Sequence, residues 1–158
     1  MGFEFNIEKT DGTDDRTCWH FFSTGQTAVI RTVMRDFGML TDPPVPDHVL
    51  LSTFDLTAGD FTGPDQVVPG KEANLAAIQA AFSARMSATE AEIRGIPHYK
   101  VNGNDGWLIA PAEVTAALAA YDAAPAGQRA DIEATYRDWV PWLAFLRRSV
   151  EHTGIRVY

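Results

Sequence analysis

Residues 102–121 read Asn-Gly-Asn-Asp-Gly-Trp-Leu-Ile-Ala-Pro-Ala-Glu-Val-Thr-Ala-Ala-Leu-Ala-Ala-Tyr, and they indicate a turn, a strand and a helix in direct succession. The Asn-Gly and Asp-Gly pairs accept positive φ angles with little strain, so they predict the turn. The apolar run 107–109 predicts the strand. Pro111 suits the first turn of a helix, where its missing N–H is not needed, and apolar residues every three or four positions continue that helix to Tyr121.

The residues before this turn predict the other half of a β-hairpin. Pro97 disfavours helical geometry at Ile96, so residues 96–101 are expected to be extended. They would pair with residues 107–109 across the Asn/Gly turn. Polar side chains at the tip of this hairpin would then present an acid, a base and an amide together.

The rest of the chain predicts an α+β fold. Alternation of apolar and polar residues predicts strands at 3–8 and 155–158, and an aromatic run predicts another strand at 18–22. Helical periodicity predicts four further segments: 24–37, which starts at a capping box of Ser23 and Gln26 and stops at Gly38, then 73–86, 129–137 and 139–152. We therefore expect a small, mostly antiparallel sheet covered by four or five helices, in a single domain spanning residues 1–158.

Residues 41–70 carry five prolines and three glycines, which predict a long, irregular loop. The wider stretch 41–80 has six acidic residues against one lysine, so it supplies −5 of the net charge of −8. Within it, Asp55, Asp60 and Asp65 are spaced five residues apart. That spacing does not match a calcium-binding loop, which has ligands at alternate positions. The three aspartates are candidates for binding a basic partner, and a solvated loop that keeps the protein soluble is the alternative.

Composition excludes several classes of protein. A net charge of −8 and a pI of about 4.8 oppose nucleic-acid binding, which depends on Lys and Arg side chains that neutralise phosphates. The apolar runs are too short to cross a membrane and the first residues do not resemble a secretory signal, so the expected location is the cytoplasm. Cys18 is the only cysteine, which rules out a disulfide within the chain.

Common catalytic motifs are missing from the sequence. It contains neither the Gly-x-Ser-x-Gly element of hydrolases nor a phosphate-binding Gly-x-x-x-x-Gly-Lys-Ser/Thr loop, and the His-Glu-x-x-His zinc motif is also missing. We expect neither a metal nor a cofactor, and we leave catalytic activity open. The candidates for ligand binding are the side chains around the predicted hairpin: His98, Lys100, Asn104, Asp105 and Trp107. In this interpretation His98 acts as acid or base and Trp107 forms an apolar wall, and an ordinary polar hairpin is the alternative.

Two segments of the chain are similar to a group of known proteins. The first lies within residues 19–40, where an aromatic strand precedes a helix that ends in the sequence Phe-Gly-Met-Leu. The second lies within residues 104–121, where the run Asn-Asp-Gly-Trp-Leu-Ile precedes Pro111. Together these segments resemble small actinobacterial proteins with no assigned function. The resemblance covers about a quarter of the chain and implies neither an activity nor catalytic residues.

These observations lead to two hypotheses on function. The first is an acidic protein that binds another macromolecule, such as a regulator, an immunity-type inhibitor or a phage-related accessory factor, with a basic protein as its partner. Small size, the acidity of residues 41–72 and the missing catalytic motifs support it. The alternative is a small-molecule enzyme or ligand-binding protein with its pocket beside the hairpin at 98–107.

Overall fold

A computed structural model describes residues 2–10 and 18–158, and these residues fall into two compact units. The first unit comprises Met1–Pro44 and Thr89–Tyr158, and the second comprises Val45–Ala88. Helices and a largely antiparallel sheet are both present, which confirms the predicted α+β class. That the two units form a single domain stays a prediction.

The first unit contains most of the regular structure. Along the chain, the elements are β1 (Gly2–Glu8), β2 (Trp19–Ser23), α1 (Thr24–Asp36), β3 (Leu40–Thr41), β4 (Phe61–Gly63), β5 (Gln66–Val67), α2 (Glu72–Met86), β6 (Ile96–Pro97), α3 (His98–Val101), β7 (Trp107–Ile109), α4 (Pro111–Ala123), α5 (Ala126–Thr135), α6 (Trp139–Ser149) and β8 (Gly154–Val157). Strands β4 and β5 and helix α2 belong to the second unit. Four strands of the first unit form an antiparallel sheet in the order β2-β1-β8-β7, which confirms the predicted small sheet.

One face of this sheet is buried against helices and forms the core of the first unit. Phe5 of β1 lies edge-on to Trp142 of α6, with ring centroids 4.9 Å apart. Phe37, which follows α1, contacts Tyr121 of α4 at the same separation of 4.9 Å. Edge-to-face aromatic pairs of this kind add to the stabilisation that comes from burying apolar area. Helices α1, α4 and α6 therefore supply most of the core that the sheet packs against.

Helix α1 begins and ends where the sequence predicts. The Ser23 hydroxyl accepts a hydrogen bond from the Gln26 N–H, and the Gln26 side chain accepts one from the Ser23 N–H, so the capping box is confirmed. Gly38 follows the helix with a φ of 68°, a left-handed conformation that glycine adopts without strain. Pro111 begins α4, as its missing N–H predicts.

The predicted hairpin on either side of the Asn/Gly turn is wrong. β6 pairs in parallel with β3, the next four residues form the helical turn α3, and β7 pairs with β8. Proline restricts the residue that precedes it, so Ile96 is extended as expected, but the residues after Pro97 are free to turn. The helical turn buries Lys100 and Val101 together, whereas a strand would place these neighbours on opposite faces.

The second unit contains short regular elements where the sequence predicts an irregular loop. Two 3-10 helices, Leu51–Phe54 and Ala58–Asp60, precede an antiparallel hairpin of β4 and β5, and α2 follows. Asp55 and Asp65 have positive φ angles of 50° and 55°, which let the chain turn at residues other than glycine. The high content of proline, glycine and aspartate therefore marks a series of tight turns, and the prediction of one long irregular loop is wrong.

Replacing Gly154 with alanine should destabilise the protein strongly. Gly154 opens β8 with a φ of 139°, and a Cβ atom there would collide with the carbonyl oxygen of Ile109 on the neighbouring strand. Backbone strain at such a position costs about 1–3 kcal/mol, and the collision adds to it. We expect Gly154→Ala to lower the free energy of unfolding by about 2 kcal/mol or more, measured by urea denaturation.

Gly127→Ala is the matched control for this substitution. Gly127 lies in α5, and a Cβ atom there would meet none of the described atoms within 4 Å, beyond its own neighbours and helix backbone. Alanine favours a helix over glycine by up to about 1 kcal/mol, so this variant should be at least as stable as the wild type. If Gly154→Ala and Gly127→Ala lowered the free energy of unfolding equally, the result would contradict the close approach of β8 to β7.

Candidate functional site

The predicted ligand site contains a buried ion pair between Lys100 and Glu113. Lys100 comes from α3 and Glu113 from the first turn of α4, and only 0% and 1% of their side chains are exposed. The Lys100 Nζ atom donates to Glu113 Oε1 at 2.8 Å, to Glu113 Oε2 at 2.9 Å and to the Leu108 carbonyl oxygen at 2.8 Å. Glu113 Oε2 also accepts a hydrogen bond from the Ala110 N–H at 2.8 Å.

The electrostatics of the pair give it a structural role. Burial is the largest influence on both groups: it lowers the pKa of Lys100 and raises the pKa of Glu113, and the contact between the two opposes both shifts. Buried charges are tolerated when they are paired and hydrogen-bonded in this way. The pair joins α3 to the connection between β7 and α4, and its burial keeps Lys100 away from ligands in solution.

The other predicted ligand residues lie in different surroundings. Trp107 is buried on β7, and its ring lies 4.8 Å from the ring of Tyr99. Asn104 and Asp105 are exposed in the turn between α3 and β7. His98 is half-buried at the start of α3. The structure therefore divides the five candidates between the core and the surface.

A second group of charges surrounds His98. The His98 Nδ1 atom lies 3.8 Å from Asp42 Oδ1, and the Arg35 guanidinium lies 3.9 Å from the same oxygen. Arg31, one helical turn before Arg35, donates a hydrogen bond to the Val101 carbonyl oxygen at 3.2 Å. Burial lowers the pKa of His98, Arg35 and Arg31 lower it further, and Asp42 opposes them. We name Arg31, Arg35, Asp42 and His98 the histidine cluster.

The three aspartates predicted to bind a partner all have contacts inside the second unit. Asp55 accepts a hydrogen bond from Lys71 at 2.6 Å, and Asp65 accepts one from a glutamine of α2 at 3.0 Å. Asp60 accepts bonds from the Thr57 N–H and hydroxyl at 2.7 and 2.8 Å, and these bonds lower the pKa of Asp60. The contacts hold the turns of this unit in place. Binding of a partner by the same side chains stays a prediction.

A shallow groove lies between the end of α1 and helix α5, with a volume of about 260 Å³. Its lining is mostly apolar, and Asp36 and Asp131 are among the residues that line it. Pockets that bind small molecules usually enclose about 300–1,000 Å³, so this groove is at best a partial site.

An exposed aromatic surface lies on the opposite face of the sheet from the core. Trp19 and Phe21 point outward from the edge strand β2, with 51% and 60% of their surface exposed, and Tyr158, next to β8, is 51% exposed. Glu4 of β1 lies opposite Phe21 and exchanges backbone hydrogen bonds with Tyr158, so it stands between these two rings. We name Trp19, Phe21, Tyr158 and Glu4 the aromatic surface.

Sequence reasoning missed the aromatic surface because residues 18–22 are almost all apolar or aromatic. In such a run, alternation does not show which side chains face the core. The available signal lies in β1, where Phe5 and Ile7 alternate with polar residues. Antiparallel pairing places His20 opposite Phe5, so β2 turns His20 inward and Trp19 and Phe21 outward.

Two features common in functional sites and membrane proteins are missing from the described residues. Over 2–10 and 18–158, His, Cys, Asp and Glu side chains form no group of three or more that could hold a metal ion. The helices of this part of the chain are each too short or too polar to cross a membrane. Neither finding identifies a ligand.

Replacing Lys100 alone should destabilise the protein more than replacing both members of the ion pair. Lys100→Met leaves the Glu113 carboxylate buried without its cation, which costs about 3–5 kcal/mol. Adding Glu113→Gln removes the buried charge, and the glutamine can still accept the hydrogen bond from the Ala110 N–H. We expect the double variant to recover about half of the loss or more, measured by urea denaturation. A double variant as unstable as the single one would contradict the cost assigned to the unpaired carboxylate.

The decrease in the free energy of unfolding caused by Lys100→Met should also depend on pH. Burial raises the pKa of Glu113, and removing the ammonium group removes the contact that opposes this shift. A carboxyl group whose folded-state pKa lies above its unfolded value binds protons more readily in the folded state, so lowering the pH through that range favours folding. The loss relative to wild type should shrink from about pH 8 to about pH 5. A constant loss would contradict a buried, ionised Glu113 in the variant.

Comparison with known proteins does not place the chain in a family. No family model matches it, and neither a curated protein nor a solved structure is similar to it at a significant level. The resemblance to actinobacterial proteins therefore stays a prediction, and the side chains described above are the basis for a proposed function.

Proposed function

We propose that the protein binds a basic protein partner through the aromatic surface, as a non-catalytic regulator or inhibitor. The observation that carries this proposal is the exposure of three large aromatic side chains on one side of the sheet: Trp19, Phe21 and Tyr158. Exposed apolar patches mark interaction sites in soluble proteins, whereas single exposed apolar residues are ordinary. Tryptophan and tyrosine also contribute disproportionately to the binding energy of protein interfaces.

Charges near the aromatic surface support a basic partner. Glu4 lies between two of the rings, and no ion pair to it occurs in the described part of the chain. Glu8, further along β1, is already paired with Arg156 at 2.8 Å. The net charge of −8 attracts a cationic partner at longer range. Arginine or lysine side chains of that partner would pair with Glu4 and lie over the rings of Trp19 and Phe21.

The edge position of β2 gives the partner a second means of attachment. Among the strands of residues 2–10 and 18–158, β2 lies at the edge of the sheet, and its sequence Trp-His-Phe-Phe-Ser contains neither a charged residue nor a proline. Charged residues and prolines are the usual means by which proteins prevent pairing at a sheet edge. A strand added beside β2 would bring its side chains next to Trp19 and Phe21.

Phe21→Ala should weaken partner binding about tenfold or more. An aromatic side chain at the centre of an interface contributes upwards of about 1.4 kcal/mol, which corresponds to a factor of ten in Kd. The partner would be captured from the native host at low ionic strength, identified, purified and titrated by calorimetry. We expect a basic protein whose affinity falls as the salt concentration rises, and we expect Glu4→Gln to reduce that salt dependence.

Phe82→Ala is the matched control, because Phe82 is an exposed aromatic residue (45%) on α2 of the second unit. This variant should bind the partner as the wild type does. If Phe82→Ala and Phe21→Ala weakened partner binding equally, the result would contradict the proposed surface. An acidic partner would contradict it as well. A dimer that Phe21→Ala dissociates would also contradict the proposal, because the aromatic surface would then be a contact between two copies of this chain.

The alternative of a small-molecule enzyme or ligand-binding protein stays a prediction. Of its five candidate residues, Lys100 and Trp107 are buried, while Asn104 and Asp105 are exposed. His98 is the candidate whose surroundings give this alternative specific support, because other charged side chains converge on it.

A further inference from the structure

The histidine cluster carries more positive than negative charge, although the protein as a whole has a net charge of −8. The Arg35 guanidinium and the His98 imidazole lie near the carboxylate of Asp42, and the Arg31 guanidinium is bonded to the Val101 carbonyl oxygen in the same helical turn as His98. The contacts of Asp42 with Arg35 and His98 are 3.9 and 3.8 Å long, beyond hydrogen-bonding distance. Asp42 therefore compensates these cations only in part.

Most hydrogen-bond donors of the two arginines have no partner among the described residues. A guanidinium group has five N–H donors. Arg31 donates one of them to the Val101 carbonyl oxygen, and its guanidinium lies over the Phe3 ring, 5.8 Å from the ring centroid. Arg35 is 52% exposed, and among the described residues its side chain is engaged only by the long contact with Asp42. His98 is 26% exposed, and its Nδ1 atom lies near the same Asp42 oxygen as the Arg35 guanidinium.

Mutual repulsion of the cations would be relieved by a bound anion. Burial lowers the pKa of Arg31, and Arg35 lowers it further. The two arginines also lower the pKa of His98, in addition to the larger effect of burial. Two arginines suit a phosphate group in particular, because a planar guanidinium donates two parallel hydrogen bonds to its oxygens.

We propose that Arg31, Arg35 and His98 bind the phosphate group of a small ligand, and that the negative charge of Asp42 opposes this binding. The ligand is inorganic phosphate or a phosphate monoester, because both present three acceptor oxygens to the cluster. The site is separate from the aromatic surface, so it does not depend on the function proposed above.

The variant Asp42→Asn distinguishes a phosphate site from a purely structural group of ion pairs. In a phosphate site, Asp42→Asn removes a competing negative charge, so the affinity for phosphate should rise about threefold or more. In a structural group, Asp42 holds the arginine and histidine side chains in place, and its loss gives no gain in affinity. The direction of the change therefore decides between the two roles.

An NMR titration of the full chain with inorganic phosphate measures binding at His98. Its imidazole signals, assigned with the variant His98→Gln, should shift and saturate at constant ionic strength near neutral pH, with Kd on the order of millimolar. The pKa of His98 should rise when phosphate is bound, because a phosphate dianion stabilises the imidazolium. A parallel titration with phenyl phosphate shows whether a phosphate monoester binds more tightly than inorganic phosphate.

Arg35→Gln should weaken phosphate binding about fivefold or more. Arg147→Gln is the matched control, because Arg147 is exposed to a similar extent (53%) and is paired with Asp122 at 3.4 Å outside the cluster, so phosphate affinity should not change. The proposal is overturned if the His98 signals respond to ionic strength alone. It is also overturned if Arg35→Gln binds phosphate like the wild type, or if Asp42→Asn binds it no more tightly. Thermal melts of Arg35→Gln and Asp42→Asn verify that these two variants fold.

Discussion

The buried ion pair of Lys100 and Glu113 is the interaction on which the arrangement of the first unit depends. It joins the helical turn α3 to the end of β7, through the Leu108 carbonyl oxygen, and to the start of α4, through the Ala110 N–H. Either charge would be costly to bury alone. Any packing that separates these two side chains is therefore unfavourable, and the three elements are held in one arrangement.

Aromatic residues are divided between the two faces of the four-stranded sheet. On the inner face, Phe5 and Phe22 contact Trp142 of α6 within the core. On the outer face, Trp19 and Phe21 of strand β2 remain exposed. Because the backbone of β2 is already paired with β1, ordering that backbone costs little conformational freedom when another molecule covers these rings. The same sheet thus stabilises the fold with one face and supports the proposed interaction with the other.

The parts of the fold that sequence predicts are those set by near neighbours. Ser23 and Gly38 mark the two ends of α1, because capping depends on residues within about one helical turn. The sequence predicts a strand at Lys100, whereas the structure has a helical turn there, because its ion-pair partner lies thirteen residues further along the chain, where local rules do not reach. The sequence does not predict the tight turn at Asp55, because the positive φ of a residue other than glycine depends on surrounding contacts. The exposure of Trp19 does not follow from its own run of residues, because its orientation is set by the register of β2 against β1.

Strand β8 lies between β1 and β7 in the sheet, although it follows both in the chain. Its pairing with β1 joins Phe5 to Val157, so the sheet depends on contacts between distant parts of the sequence. Contacts of this kind form slowly, because a long stretch of chain must lose its conformational freedom before they stabilise the fold. During synthesis, β1 and β2 can pair early, but β7 gains its neighbour in this sheet only once β8 has been made. Until then, the edges of β1 and β7 that β8 later covers are open to pairing with other chains.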